Sequence, residues 1–383
     1  MGAVRFEAMT PCILAALVVA AQTVAIRAGK IVDPLTGQVA TGQTIVIDGG
    51  RIRAVGADVR PPAGAMVYDL SGLTVIPGLI DAHVHLAIGG TVRDNALADL
   101  RAGFTTVADL GARTHRLLRL RDSINAGQIP GPRVLAAGIW VGRKDGVCEF
   151  NGIGIAGGPE AFRQRVRDNI AAGADLIKVC VTGWPADAYA RPDDYELPDS
   201  TLRAVVNEAH AGGRRVIAHD ISTGGVRAAV AAGIDGLAHA AFLDSATALS
   251  LRAHAIFLIP TLASLTSGDT SAVARGLFGS VGLAQRLGVR LVFGTDGGVL
   301  PHGQNAQEFG ALRQAGVPAL DQLRAATTNA AQALGLADSL GRIAAGMLAD
   351  IVALNGNPLD DVTAYQRVKF VMSRGRVVVD PRP

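Results

Sequence analysis

From about residue 23 to residue 75 the chain runs in short segments whose apolar and polar positions alternate, 43–48 and 51–55 among them, separated by Gly-Gly and Pro-Pro turns. A period of two residues gives each segment one apolar face, so these are expected to be antiparallel strands. The same texture returns near the other end, over 350–354, 368–372 and 376–379. Though far apart in sequence, the two ends are expected to pair into one small β-sandwich. Between them the pattern changes: apolar runs near residues 79, 105, 133, 175, 215, 236, 256 and 290 are each followed by a stretch with helical spacing, such as 200–210. Eight strand–helix units are what a (β/α)8 barrel requires. The predicted fold class is therefore α/β, a TIM barrel over 76–344 with a composite β-sandwich domain built from 22–75 and 345–383.

Residues 1–21 read differently. Arg5 precedes an uncharged stretch over 12–21, and Val19-Ala20-Ala21 supplies the small residues a signal peptidase needs before Gln22. The run is too short to span a bilayer, so the expectation is a cleaved signal peptide, an exported protein and no stable membrane anchor. Glu7 and Pro11 depart from a usual leader, and an uncleaved extension would leave the protein in the cytoplasm.

Composition fits a large enzyme rather than a nucleic-acid partner. At 383 residues, 49% hydrophobic and 4% aromatic, the core must be built mainly from Ala, Val, Leu and Ile. The net charge of +3 arises from 36 basic and 33 acidic residues without a long run of either sign, which excludes the basic stripe that nucleic-acid binding would need. Self-association into a homo-oligomer is left open.

The chemistry sits on the strand candidates. In Pro77-Gly78-Leu79-Ile80-Asp81-Ala82-His83-Val84-His85 an apolar run ends in two imidazoles that a strand would aim to one side, a pair suited to a divalent cation. Asp175-Leu176-Ile177-Lys178-Val179-Cys180 buries a lysine in an apolar strand. Burial lowers an amine's pKa, and a neutral amine can add carbon dioxide to become a carbamate that bridges two cations. His219 and His239 end two further apolar runs, and Asp296 ends a third at Gly294-Thr295-Asp296. Each of these alone also reads as a core histidine, a snorkelling lysine or a turn aspartate. Their order and spacing together point to two divalent metal ions held by His83, His85, an N6-carboxylated Lys178, His219, His239 and Asp296. Zinc suits these donors best, and manganese or iron would also fit.

These motifs, with Gly103-Phe104-Thr105-Thr106-Val107, His302-Gly303 and Gly346-Met347-Leu348-Ala349-Asp350-Ile351-Val352, resemble the amidohydrolase superfamily. Within it the chain is similar to the imidazolonepropionase-related branch that includes binuclear Xaa-Pro dipeptidases. The resemblance implies a hydrolase of C–N bonds in small substrates such as dipeptides, N-acyl amino acids or cyclic amides. It also implies His83, His85 and Asp296 on one metal, Lys178 bridging, and His219 and His239 on the other. Asp296 would be the catalytic general base and acid.

Where dipeptidase-like relatives carry Gly-Gly-His, this chain reads Gly142-Arg143-Lys144, so Xaa-Pro specificity is not implied. Arg143 is instead a candidate for a substrate carboxylate, Trp184 for a pocket wall and His302 for a substrate contact. A hydrolase of esters, lactones or phosphoesters and a non-catalytic binding protein remain as alternatives. Cys148 and Cys180 fall at the same end of the barrel, either as a disulfide or as two small buried hydrophobes.

Overall fold

The computed structural model describes residues 23–266 and 271–382, so the leader read from residues 1–21 lies outside the described residues. Its strands are β1 Val24–Val32, β2 Val39–Asp48, β3 Arg51–Gly56, β4 Met66–Pro77, β5 Leu79–Val84, β6 Phe104–Asp109, β7 Arg133–Ala136, β8 Leu176–Cys180, β9 Arg215–Asp220, β10 Gly236–His239, β11 Phe257–Ile259, β12 Ile351–Leu354, β13 Val368–Ser373 and β14 Arg376–Val379.

The terminal strands form one seven-stranded sheet in the order β14-β13-β12-β4-β1-β2-β3. Alternation decides its faces. In β3, Ile52 is buried while Arg51 and Arg53 are exposed, and Ile52 joins Ile26, Ile45, Ile47 and Phe370 in a core of its own. The edge strand β3 also bridges antiparallel to the segment before β12, Arg51 pairing with Leu348.

The middle of the chain supplies two parallel sheets, β5-β6-β7 and β11-β10-β9-β8. A parallel bridge from Val141 to Val179 connects one to the other. The expected eighth strand near residue 290 is not a regular strand. It is an extended segment in which Val292 donates to Leu258 of β11 while Phe293 accepts from Ala82 of β5, so its short pairing is divided between two neighbours. The arrangement is consistent with a TIM-barrel-like fold. Inward residues such as Ile80, Ala108, Ile217, Ala238 and Val292 pack together, and outward ones pack on surrounding helices, including α1 Val92–Arg101 and α2 Arg116–Asn125. Gly78 passes the chain from β4 into β5, and a Cβ there would collide with the Thr105 side chain. No described helix is long and apolar enough to cross a membrane.

Candidate metal centre

The ends of β5, β8, β9 and β10 and the segment after Phe293 converge on one buried cluster. Asp296 Oδ1 lies 3.4 Å from His83 Nε2 and 3.2 Å from His85 Nε2. Ligand atoms of His83, His239 and Asp296 all fall within 4.8 Å of one another. The rings of His219 and His239 are 4.6 Å apart, and Lys178 is 2% exposed. Three of the six expected ligands thus form a compact cluster, and the other three border it. His239 and Asp296 hold left-handed backbone conformations, with φ of 77° and 57°. Such strain persists only where surrounding structure enforces it, and it concentrates at functional sites.

Hydrogen bonds fix how these rings face. His85 Nδ1 lies 3.0 Å from the Gly111 carbonyl, which makes Nδ1 the donor there and turns Nε2 toward Asp296. His239 Nδ1 is 2.7 Å from the Thr261 hydroxyl, and His219 Nε2 is 3.4 Å from the Gly183 carbonyl. Two buried nitrogens, His83 Nδ1 and Lys178 Nζ, have no partner at all. A buried polar atom without a partner is costly, and a cation-binding centre would account for that of Lys178.

The electrostatics agree with a donor set. Burial holds the His83 and His239 imidazoles well below their ordinary pKa and that of His219 down to about 3, so all three are neutral, the form in which imidazole can donate to a cation. Burial opposes protonation of His85 as well, but the hydrogen bond and charge of Asp296 outweigh it and raise its pKa. Lys178 is pushed down to about 7 by burial, only partly offset by Asp296, and neutral amine is the form that carboxylation needs. For Asp296, burial acts upward, yet the surrounding histidines hold it well below the carboxylate range. Neutral imidazoles, a carboxylate and a reactive amine suit one or two divalent cations.

The expected substrate contacts fare unequally. Trp184 stands at the site, half-exposed, with its ring 6.0 Å from that of His219. His302 does not: its side chain is buried, Nδ1 bonded to Asp99 at 2.9 Å and Nε2 3.3 Å from the His85 carbonyl, so both nitrogens are engaged inside the protein. Arg143 is not a free cation either, because its guanidinium lies 3.8 Å from Glu196.

Sequence reading missed several supporting residues. Asp81 accepts from the His83 and Thr295 N–H groups, the Thr295 hydroxyl and the Asn305 amide, tying β5 to the segment that carries Asp296. Its place two residues before His83 was the available signal. Trp140 packs 5.4 Å from the His85 ring, and Gly111 makes room for it, since a Cβ at Gly111 would collide with the indole. A disulfide joins Cys148 to Cys180, fastening the loop after β7 to the strand of Lys178.

Residues 74–378 match the model of the amidohydrolase family. Aspergillus niger ochratoxinase is 28% identical over 414 aligned residues, which take in 92% of this chain and 85% of that one. A Xaa-Pro dipeptidase solved with methionine in its active site is similar at a TM-score of 0.87 and 28% identity, covering 94% of this chain and 100% of the other. A prolidase complexed with N-methylphosphonate-L-proline gives 0.83 and 28%, again with 94% and 100% covered. Because the family model spans well over half its length, carrying both the buried cluster and the strands that present it, this chain belongs to the amidohydrolase family.

Proposed function

We propose that the protein is a binuclear metal-dependent amidohydrolase cleaving an amide or peptide-type C–N bond of a small substrate, such as a dipeptide, N-acyl amino acid or cyclic amide. One observation carries this reading: Asp296, the histidines and a lysine whose Nζ has no partner meet at the strand ends of a TIM-barrel-like fold. The names of the similar enzymes, a dipeptidase, a prolidase and an ochratoxinase, support hydrolysis of this bond class.

His83, His85 and Asp296 would hold one cation, His219 and His239 the other, and carboxylated Lys178 would bridge them. When bound, such cations, zinc being the first choice, activate water and polarise the scissile carbonyl. The chain's own residues do the rest. Asp296 accepts the attacking water's proton and returns it to the leaving nitrogen, the two halves of general base and acid catalysis. The Gly111 carbonyl, which can only accept, keeps the His85 proton on Nδ1, and the Thr261 hydroxyl braces His239 through its Nδ1. Trp184 walls one side of the mouth.

The same reading takes the parallel strands as one closed eight-stranded barrel over 76–344 and the terminal sheet, from 22–75 and 345–383, as a β-sandwich. It takes residues 1–21 as an export signal. A screen of dipeptides, N-acyl amino acids and cyclic amides beside an ester, lactone and phosphoester panel, on protein of measured metal content, tests the function. Preferred turnover of amides supports it. Turnover confined to the oxygen esters, or turnover unaffected by chelation, overturns it.

A further inference from the structure

Beside the metal centre, the loop after β5, the N-terminus of α1 and the first turns of α2 enclose a groove of about 700 Å3. That is the size of small-molecule sites. Its apolar walls include Ile88, Leu117, Leu120 and Trp140, and Trp140 is the residue packed on His85. Three cations also line it: Arg93, Arg113 and Arg116. No acidic residue lines it. Among the described residues none of the three guanidinium groups makes an ion pair or a side-chain hydrogen bond, whereas arginines elsewhere, such as Arg167 and Arg367, are paired. Asp94, the acid next to Arg93 in sequence, is hydrogen-bonded to the Thr91 hydroxyl at 2.7 Å.

A second hollow, beside Thr182 and Gly183 after β8, contrasts with it. There Arg143 and Arg191 face Asp187, Asp194 and Glu196 across about 410 Å3, so positive charge is already cancelled. Of these two hollows, it is the first whose guanidinium groups are unpaired, and guanidinium groups favour carboxylates.

We propose that this groove binds the leaving half of the substrate, an amino acid with a large apolar side chain and a free carboxylate, the side chain lying on Leu117 and Leu120 and the carboxylate meeting Arg113 and Arg116. The inference rests on the amide-hydrolase reading and names the substrate class of that site. It moves the carboxylate contact away from Arg143.

The test compares wild type, Arg113→Ala/Arg116→Ala and Arg143→Ala, each metal-replete, on glycyl-phenylalanine, its C-terminal amide and glycylglycine. The double variant should lose about tenfold to a hundredfold in kcat/KM on glycyl-phenylalanine, mainly through KM, and change less than threefold on the amidated form. Arg143→Ala should change all three substrates less than threefold. Equal losses on the acid and the amide, no loss on the acid, or a selective loss in Arg143→Ala would overturn the proposal. Binding of phenylalanine and phenylalaninamide, measured by calorimetry, separates its failure from failure of the hydrolase reading. Should wild type cleave none of the peptides, phenylalanine binding that weakens at least tenfold in the double variant, with the amide unaffected, still supports the groove. Equal binding to both proteins, or none to wild type, overturns it.

Discussion

Lys178 sits in β8 with its amine buried and without a hydrogen-bond partner, a placement an ammonium would tolerate only at high cost. If it bridges two cations as a carbamate, Lys178→Ala should lower metal content below two per chain and nearly abolish turnover, and bicarbonate should aid reconstitution of the wild type. Elemental analysis of the variant checks this, and two retained metals with full activity would refute the assignment. Asp296→Asn should fold and keep much of its metal while losing several orders of magnitude in rate, because an amide cannot take the water's proton. Steady-state rates decide it, and near-normal activity would assign proton transfer to another group. These residues were legible because each ends or interrupts an apolar run. Asp81, Thr261 and Trp140 were not, since what gives them meaning is a partner on another strand: Thr295, His239 and His85 respectively. His302 was legible as chemistry but not as position, for its partner Asp99 is 203 residues away.

The Cys148–Cys180 bond closes 32 residues between the loop after β7 and the strand of Lys178, and Trp140 and Val147 pack around it. A cross-link of that length is worth about 3–4 kcal/mol through the entropy it removes from the unfolded chain. Cys148→Ser/Cys180→Ser should therefore melt several degrees lower than wild type under non-reducing conditions. Equal melting temperatures would show that the bond constrains nothing. Another device lies where the chain leaves β11: Glu308 accepts from the Leu262 and Ala263 N–H groups and is fully buried, and burial raises its pKa to about 8. A carboxyl raised in the folded state favours folding most below its ordinary range, and that contribution is lost as pH climbs to about 8. Glu308→Gln should accordingly flatten the decline of melting temperature between pH 5 and 8, and an unchanged slope would show that Glu308 is ionised throughout. Strand existence was readable from periodicity at seven barrel positions, whereas the eighth, near residue 290, lacks regular pairing because its bonds are shared between β5 and β11.

Across the molecule, the two chain ends meet in a single sheet, and β4 runs directly into β5, so the terminal core and the site-bearing strands share a continuous backbone. Alternation at both ends announced this pairing. The register did not follow from it, because β1 and β4 pair in parallel while their other neighbours run antiparallel. On the function proposed above, the whole arrangement presents donors for two cations, and amide hydrolysis would depend on both being bound. Titrating metal-free protein with Zn2+ while following turnover of an amide substrate tests this most directly. The rate should rise from near zero and level off at two equivalents per chain. Saturation at one equivalent, or turnover already complete in the metal-free protein, would contradict the account.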